Sequence, residues 1–157
     1  MLIDVLTVLH AVTGVVAFGA GIVSLGSQRR SLFWVFLWCT ALNIALMYLL
    51  IVLDWPILSN VQRQLYLALS ILGGYMVFRA GHAATELVER FDEEWHGRFA
   101  GDVGFTVVAL GVGFVIVGVM DMHAPPWAVG VAGLAAILIG SELLHDYRRR
   151  HGLTVTT

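Results

Sequence analysis

Two short spacings in this chain could do chemistry. Glu93-x-x-His96 sets a carboxylate and an imidazole on adjacent turns of one helical face, and Glu142-x-x-His145 repeats the arrangement 49 residues later. Two such pairs, joined by carboxylates from other helices, make up the ligand set of di-iron and di-manganese helical proteins. Composition alone gives about 0.2 such pairs in a chain of this make-up. Further carboxylates would come from Glu86 and Glu89, which share one helix with Glu93, a departure from the usual four-helix arrangement. The competing reading is a solvated acidic face. His82, Glu86, Glu89, Glu93 and His96 fall on one stripe, and Leu87, Val88, Phe91, Trp95 and Phe99 lie opposite. Glu86 with Arg90 and Glu94 with Arg98 would then be ordinary i,i+4 ion pairs. Charge runs of this kind are usually surface, so the solvated face is the default.

A second set of candidates lies inside apolar runs. His10, Asn43, Arg79 and His82 are polar groups in long apolar surroundings, where burial without a partner is costly. For His10 the ordinary role is a hydrogen bond between helices. Asn43 reads as packing glue, and Arg79 can extend its head toward the aqueous interface. Bis-His haem needs two imidazoles at similar depth on different helices, which His82 and His145 satisfy on paper. A bare metal ion is the preferred cofactor candidate and haem ranks below it. The sequence holds no nucleophile elbow, P-loop or dinucleotide fingerprint, and no midplane charges of the transporter type.

The elements that would position these residues follow from hydropathy. The chain has 157 residues, 59% hydrophobic and 13% charged. Its mean hydropathy is +0.84. An ordinary soluble domain is nearer half apolar and a quarter charged. The excess lies in five long blocks, at about 2–26, 32–55, 61–80, 103–120 and 126–144, each long enough to cross a hydrocarbon core of about 30 Å. The expected fold is all-α: one polytopic membrane domain over 1–157 with five transmembrane helices. Pro56 ends the second block. Ser59-Asn60-Val61-Gln62 reads as a capping box opening the third, and Pro126 suits the first turn of the fifth. Between the third and fourth blocks, about 82–96, an amphipathic helix is expected on the cytoplasmic side, continuing the third block or lying at the interface. Gly97 and Gly101 should end it, and Asp102 should cap the fourth block.

Arginine sets the orientation. With the N-terminus outside and the C-terminus cytoplasmic, Arg29, Arg30, Arg79, Arg90, Arg98, Arg148, Arg149 and Arg150 lie inside and only Arg63 outside. That is a clear positive-inside bias. Asp4 stands where a signal peptide would be basic, so a cleavable leader is not expected. The single Cys39 excludes an intramolecular disulfide, and a net charge of -2 gives no nucleic-acid signature.

Close helix approach should come from small residues, since lipid offers little hydrophobic drive between helices. Gly14, Ala17 and Gly21 share one face of the first block. Gly74 and Gly81 mark the third, and Gly104, Gly111 and Gly118 repeat by seven in the fourth. Ala132, Ala136 and Gly140 repeat by four in the fifth. The second block has no glycine and many aromatics, so it is expected to be peripheral and lipid-facing.

The first helix, Leu9-His10-Ala11-Val12-Thr13-Gly14, with its basic loop Gln28-Arg29-Arg30, resembles a family of uncharacterised bacterial and archaeal polytopic membrane proteins. Members open with a His-x-x-x-Gly helix followed by a basic loop. The stretch Gly73-Gly74-Tyr75-Met76-Val77-Phe78-Arg79 is similar to a later helix of that family. Where members commonly carry a further His after the loop, this chain has Ser31-Leu32-Phe33-Trp34. The resemblance implies a multi-pass protein of a prokaryotic cell membrane and brings no activity with it. The function expected is that of an accessory or scaffold subunit or a homo-oligomer, whose partners are the bilayer and another membrane protein or a second copy. The alternative is a metal or haem redox protein using the cytoplasmic Glu/His cluster.

Overall fold

The computed structural model describes residues 1–27, 29–89, 95–122 and 124–153, except the side chains of Glu89 and Asp121. Its helices are α1 (Leu2–Ser27), α2 (Arg30–Asp54), α3 (Asn60–Glu89), α4 (Trp95–Asp121) and α5 (Pro126–Arg150), with a 3₁₀ turn at Trp55–Ile57. Among the described residues there is no strand. Among the described residues, four helical stretches are long and apolar enough to cross a membrane: Leu2–Ser27, Arg30–Ile57, Trp95–Met120 and Pro126–Arg150. α3 is not among them, because its apolar run is interrupted by Gln64, Tyr66, Ser70, Gly73, Gly74 and Tyr75 and flanked by Arg63 and Arg79.

The chain divides into two compact units, Met1–Gly81 and His82–Thr157. In the first, α1 packs along α2. The buried positions of α1 are Gly14, Ala17, Gly21 and Ser24, one face at spacings of three and four, as expected. Those of α2 are Phe33, Phe36, Thr40, Asn43 and Ile44. The peripheral role expected for α2 is therefore corrected. It touches α1 through Asn43 and α3 through Ile44, Met47 and Tyr48. The physical reason is complementarity: α2 needs no glycine because its neighbours supply the small residues and α2 the large ones. A Cβ added to Gly73 would lie 3.0 Å from Ile44 Cδ1, so the close approach on α3 is at Gly73. Gly74 meets only the Tyr48 hydroxyl, and Gly81 meets nothing within 4 Å.

The start of α3 is built as the sequence indicates. Ser59 N–H donates to Gln62 Oε1 at 2.9 Å, and Gln62 N–H donates to Ser59 Oγ at 3.3 Å. The two side chains thus satisfy backbone donors left over by the first helical turn. Arg63 stacks over the Trp55 ring at 5.3 Å and donates to the Trp55 carbonyl, which ties α3 to the turn before it.

In the second unit, α4 and α5 run antiparallel in a constant register. Gly133 sits against Ile116, Gly140 against Val108, Leu144 against Gly104 and Arg148 against Gly101. The seam on α4 therefore passes through Gly101, Gly104, Val108 and Ile116, whereas Gly118 has nothing within 4 Å. The expected heptad holds at Gly104 and is lost at Gly118. On α5, Gly133 and Gly140 make the approach, and Ala132 and Ala136 of the expected trio are half-buried as Gly140 is.

The first part of the amphipathic segment continues α3, one of the two arrangements expected, and its last residues open α4 at Trp95. Its expected end is corrected: Gly97 and Gly101 lie inside α4, and among the described residues the only glycine with positive φ is Gly152, so neither terminates a helix. The apolar side expected at the lipid interface is instead largely buried: Leu87 is 3% exposed, Trp95 8% and Phe99 1%. Burial in protein removes the same apolar area from water that lipid would.

The glycine contact at Gly140 involves a stiff partner. A Cβ on Gly140 would lie 2.6 Å from Val108 Cγ1 and 3.3 Å from Val108 Cβ. A β-branched side chain has little rotameric freedom in a helix, so relief requires backbone movement. Gly140→Ala should destabilise the protein in detergent by about 1–3 kcal/mol. Gly130→Ala, with nothing within 4 Å, should be neutral or stabilising by up to about 1 kcal/mol. Thermal unfolding of the two variants checks this, and equal shifts would contradict the packing.

Candidate functional site

Several polar side chains of the first unit reach another helix or a neighbour on their own, whereas the buried hydroxyls of Ser24 and Thr40 have no hydrogen-bond partner among the described residues. His10 Nδ1 lies 3.0 Å from the Asn43 carbonyl oxygen. A carbonyl only accepts, so Nδ1 carries the hydrogen. Thr13 Oγ1 lies 2.8 Å from the Leu9 carbonyl and 3.4 Å from Asn43 Oδ1. Tyr48 donates to the Ser70 carbonyl at 2.7 Å, linking α2 to α3. Arg79 donates to the Tyr75 hydroxyl at 3.0 Å with its guanidinium 5.7 Å from the ring centre.

The densest constellation is in the second unit, between the end of α3 and the first half of α4. His82 Nδ1 lies 2.6 Å from Asp102 Oδ2. Arg98 grips Glu86 with two bonds, Nε to Oε1 at 2.7 Å and Nη2 to Oε2 at 2.9 Å. His82 Nε2 lies 4.0 Å from Glu86 Oε1, which joins the two pairs. The carboxylates sit deeper than the cations: the Asp102 side chain is 6% exposed and that of His82 48%. Thr106, fully buried one turn on, donates to the Asp102 backbone carbonyl. Chemically, a carboxylate that fixes Nδ1–H leaves Nε2 as the free position of the ring, the arrangement found in proton-accepting and metal-ligating histidines.

Arg98 pairs with Glu86 across helices, twelve residues apart, and the expected i,i+4 partners Arg90 and Glu94 lie outside the described residues. One expectation changes here. Asp102 is a buried helix-interior residue and not the cap expected. The sequence carried a signal for Asp102: it lies between Phe99, Val103 and Thr106 on a face that is otherwise apolar or small. A charge at a core position of a helix demands a partner.

The Glu/His pairs are placed as follows. Glu93 and the side chain of Glu89 lie outside the described residues. His96 is half-buried, with its ring centre 3.6 Å from that of Trp95. Glu142 and His145 are exposed on α5, where they line an open surface groove with Leu143, Asp146 and Arg149. Asp146, past the apolar run of α5, accepts from Arg150 at 2.6 Å and Arg149 at 3.2 Å. The bond from Arg150 is the main influence holding its carboxyl below the ordinary carboxylate value. Among the described residues, no three His, Cys, Asp or Glu side chains converge to hold a metal ion.

The chain matches no protein-family model, no curated protein and no solved structure.

The Glu86–Arg98 pair is partly buried, so removing one partner leaves a poorly hydrated charge. Arg98→Gln should cost about 1–3 kcal/mol. The double variant Glu86→Gln/Arg98→Gln should recover part of that loss. A double-mutant cycle in detergent measures the coupling; additive losses would contradict the bidentate bond.

Proposed function

We propose that the chain is an integral membrane protein of a prokaryotic cell membrane, without catalysis of its own, that acts as an accessory or scaffold subunit or assembles with copies of itself. The observation carrying this reading is that four of its polar side chains are spent on neighbouring helices. His10, Tyr48, His82 and Arg98 each bond to a different helix from their own. Bonds of this kind add specificity to helix packing in lipid, where apolar contact alone discriminates little. The broad apolar exposure of the helices, for instance Val131, Leu134, Leu138 and Leu143 on α5, is the surface that lipid or a partner helix would cover.

Within this reading α3 crosses as the fifth span. Its 30 residues reach about 45 Å, enough for the purpose. Five spans with the N-terminus outside put eight arginines in the cytoplasm and one outside. A four-span arrangement without α3, in its better orientation, gives seven and two. The arginine balance thus favours five, as does the resemblance of α1 and its basic loop to multi-pass proteins. Single-cysteine labelling separates the two in a Cys39-free background. Leu58→Cys should label only from outside and Asp92→Cys only from the cytoplasm. Labelling of both from the same side would remove α3 as a span.

A second reading, a metal or haem redox protein, is favoured by one feature: Asp102 fixes the His82 ring with Nε2 left over beside Glu86. An optical spectrum with elemental analysis of the purified protein decides between them. The scaffold reading expects neither a Soret band nor stoichiometric iron, manganese or zinc; either signal would replace it with the redox reading.

A further inference from the structure

The end of α5 carries three consecutive arginines, and they are not equivalent. Arg149 and Arg150 are both bound to Asp146. Arg148 turns to α4 instead, with one Nη 4.0 Å from where a Cβ on Gly101 would stand. Its Nε is buried and has no hydrogen-bond partner among the described residues. Three described carboxylates of α3, α4 and α5 are engaged elsewhere: Asp102 with His82, Glu86 with Arg98, and Asp146 with the two other arginines. A half-buried, permanently charged guanidinium whose buried Nε donor is unused is an unfavourable arrangement unless an acceptor arrives.

We propose that Arg148 binds a phosphate-type oxyanion against Gly101, and that its source is the headgroup of an anionic phospholipid. The planar guanidinium fork matches two oxygens of a phosphate. Gly101 presents no side chain there, which leaves room for the oxygens beside α4. Depth agrees with the assignment, and this step rests on the membrane reading proposed above. Arg148 lies four residues beyond Leu144, about 6 Å along the helix. The headgroup layer occupies about 5–7 Å on each side of the hydrocarbon core.

The experiment is native mass spectrometry of the chain released from nanodiscs of mixed phosphatidylglycerol and phosphatidylcholine. The wild type should retain phosphatidylglycerol about fivefold over phosphatidylcholine. Arg148→Gln should bring that ratio close to one, and Arg149→Gln should leave most of it. Gly101→Leu, which fills the space without changing charge, should act like Arg148→Gln and carries the test if that variant fails to fold. Retention unchanged by both Arg148→Gln and Gly101→Leu would overturn the proposal. A competition arm with inorganic phosphate separates the sources. Displacement of the lipid by phosphate, with the same dependence on Arg148, would keep the oxyanion site and overturn the lipid assignment. Failure of the membrane reading shows separately, as release of the chain into the aqueous fraction of a carbonate wash.

Discussion

A polar side chain on an apolar helix has few places to send its hydrogen bonds, and four in this protein send them to another helix. His10 reaches the Asn43 carbonyl across α1 and α2, and Tyr48 reaches the Ser70 carbonyl across α2 and α3. His82 and Arg98 do the same between the end of α3 and α4. Backbone carbonyls already bonded within a helix retain a second lone pair, so accepting such a bond does not break the helix. Each bond fixes both the depth and the rotation of the two helices it joins. Apolar contact alone would tolerate sliding, because one leucine-covered surface is much like the next.

Those bonds are reachable only because the helices come close. Glycine provides the approach at Gly73, Gly104, Gly133 and Gly140, each faced by a branched aliphatic side chain of the adjoining helix. The partition is asymmetric: in each pair one helix is small at the contact and the other is large. This explains why α2, with no glycine, is central to its unit. Its Phe33, Phe36, Thr40 and Ile44 fill space that the small face of α1 and Gly73 of α3 leave open. In the proposed reading, the interhelical polar bonds act first as locating pins, and the outward surface is left to lipid or partners.

Local signals in the sequence were legible wherever the cause was local. The capping box at Ser59 and Gln62 depends on four consecutive residues, and it stands as read. The small face of α1 depends only on helical periodicity. What escaped was set by neighbours. Glycine content suggested that α2 was peripheral, but glycine marks only one member of a packed pair. Gly97 and Gly101 looked like terminators, yet a glycine inside a helix costs only about 1 kcal/mol relative to alanine. Burial of Leu87, Trp95 and Phe99 lies against that cost. The bidentate pairing of Glu86 with Arg98 joins two helices across twelve residues, which i,i+4 spacing does not announce. The Glu93 half of the metal constellation lies outside the described residues.

If interhelical bonding by polar side chains organises the protein, then the protons on His10 and His82 must be where those bonds require them. Nitrogen-15 NMR of histidine-labelled protein in lipid nanodiscs reads this directly, with His10→Gln and His82→Gln used to assign the signals. The account predicts that both rings carry hydrogen on Nδ1, held by the Asn43 carbonyl in one case and the Asp102 carboxylate in the other. A ring found with hydrogen on Nε2 and a bare Nδ1, the tautomer that neither acceptor can hold, would contradict it.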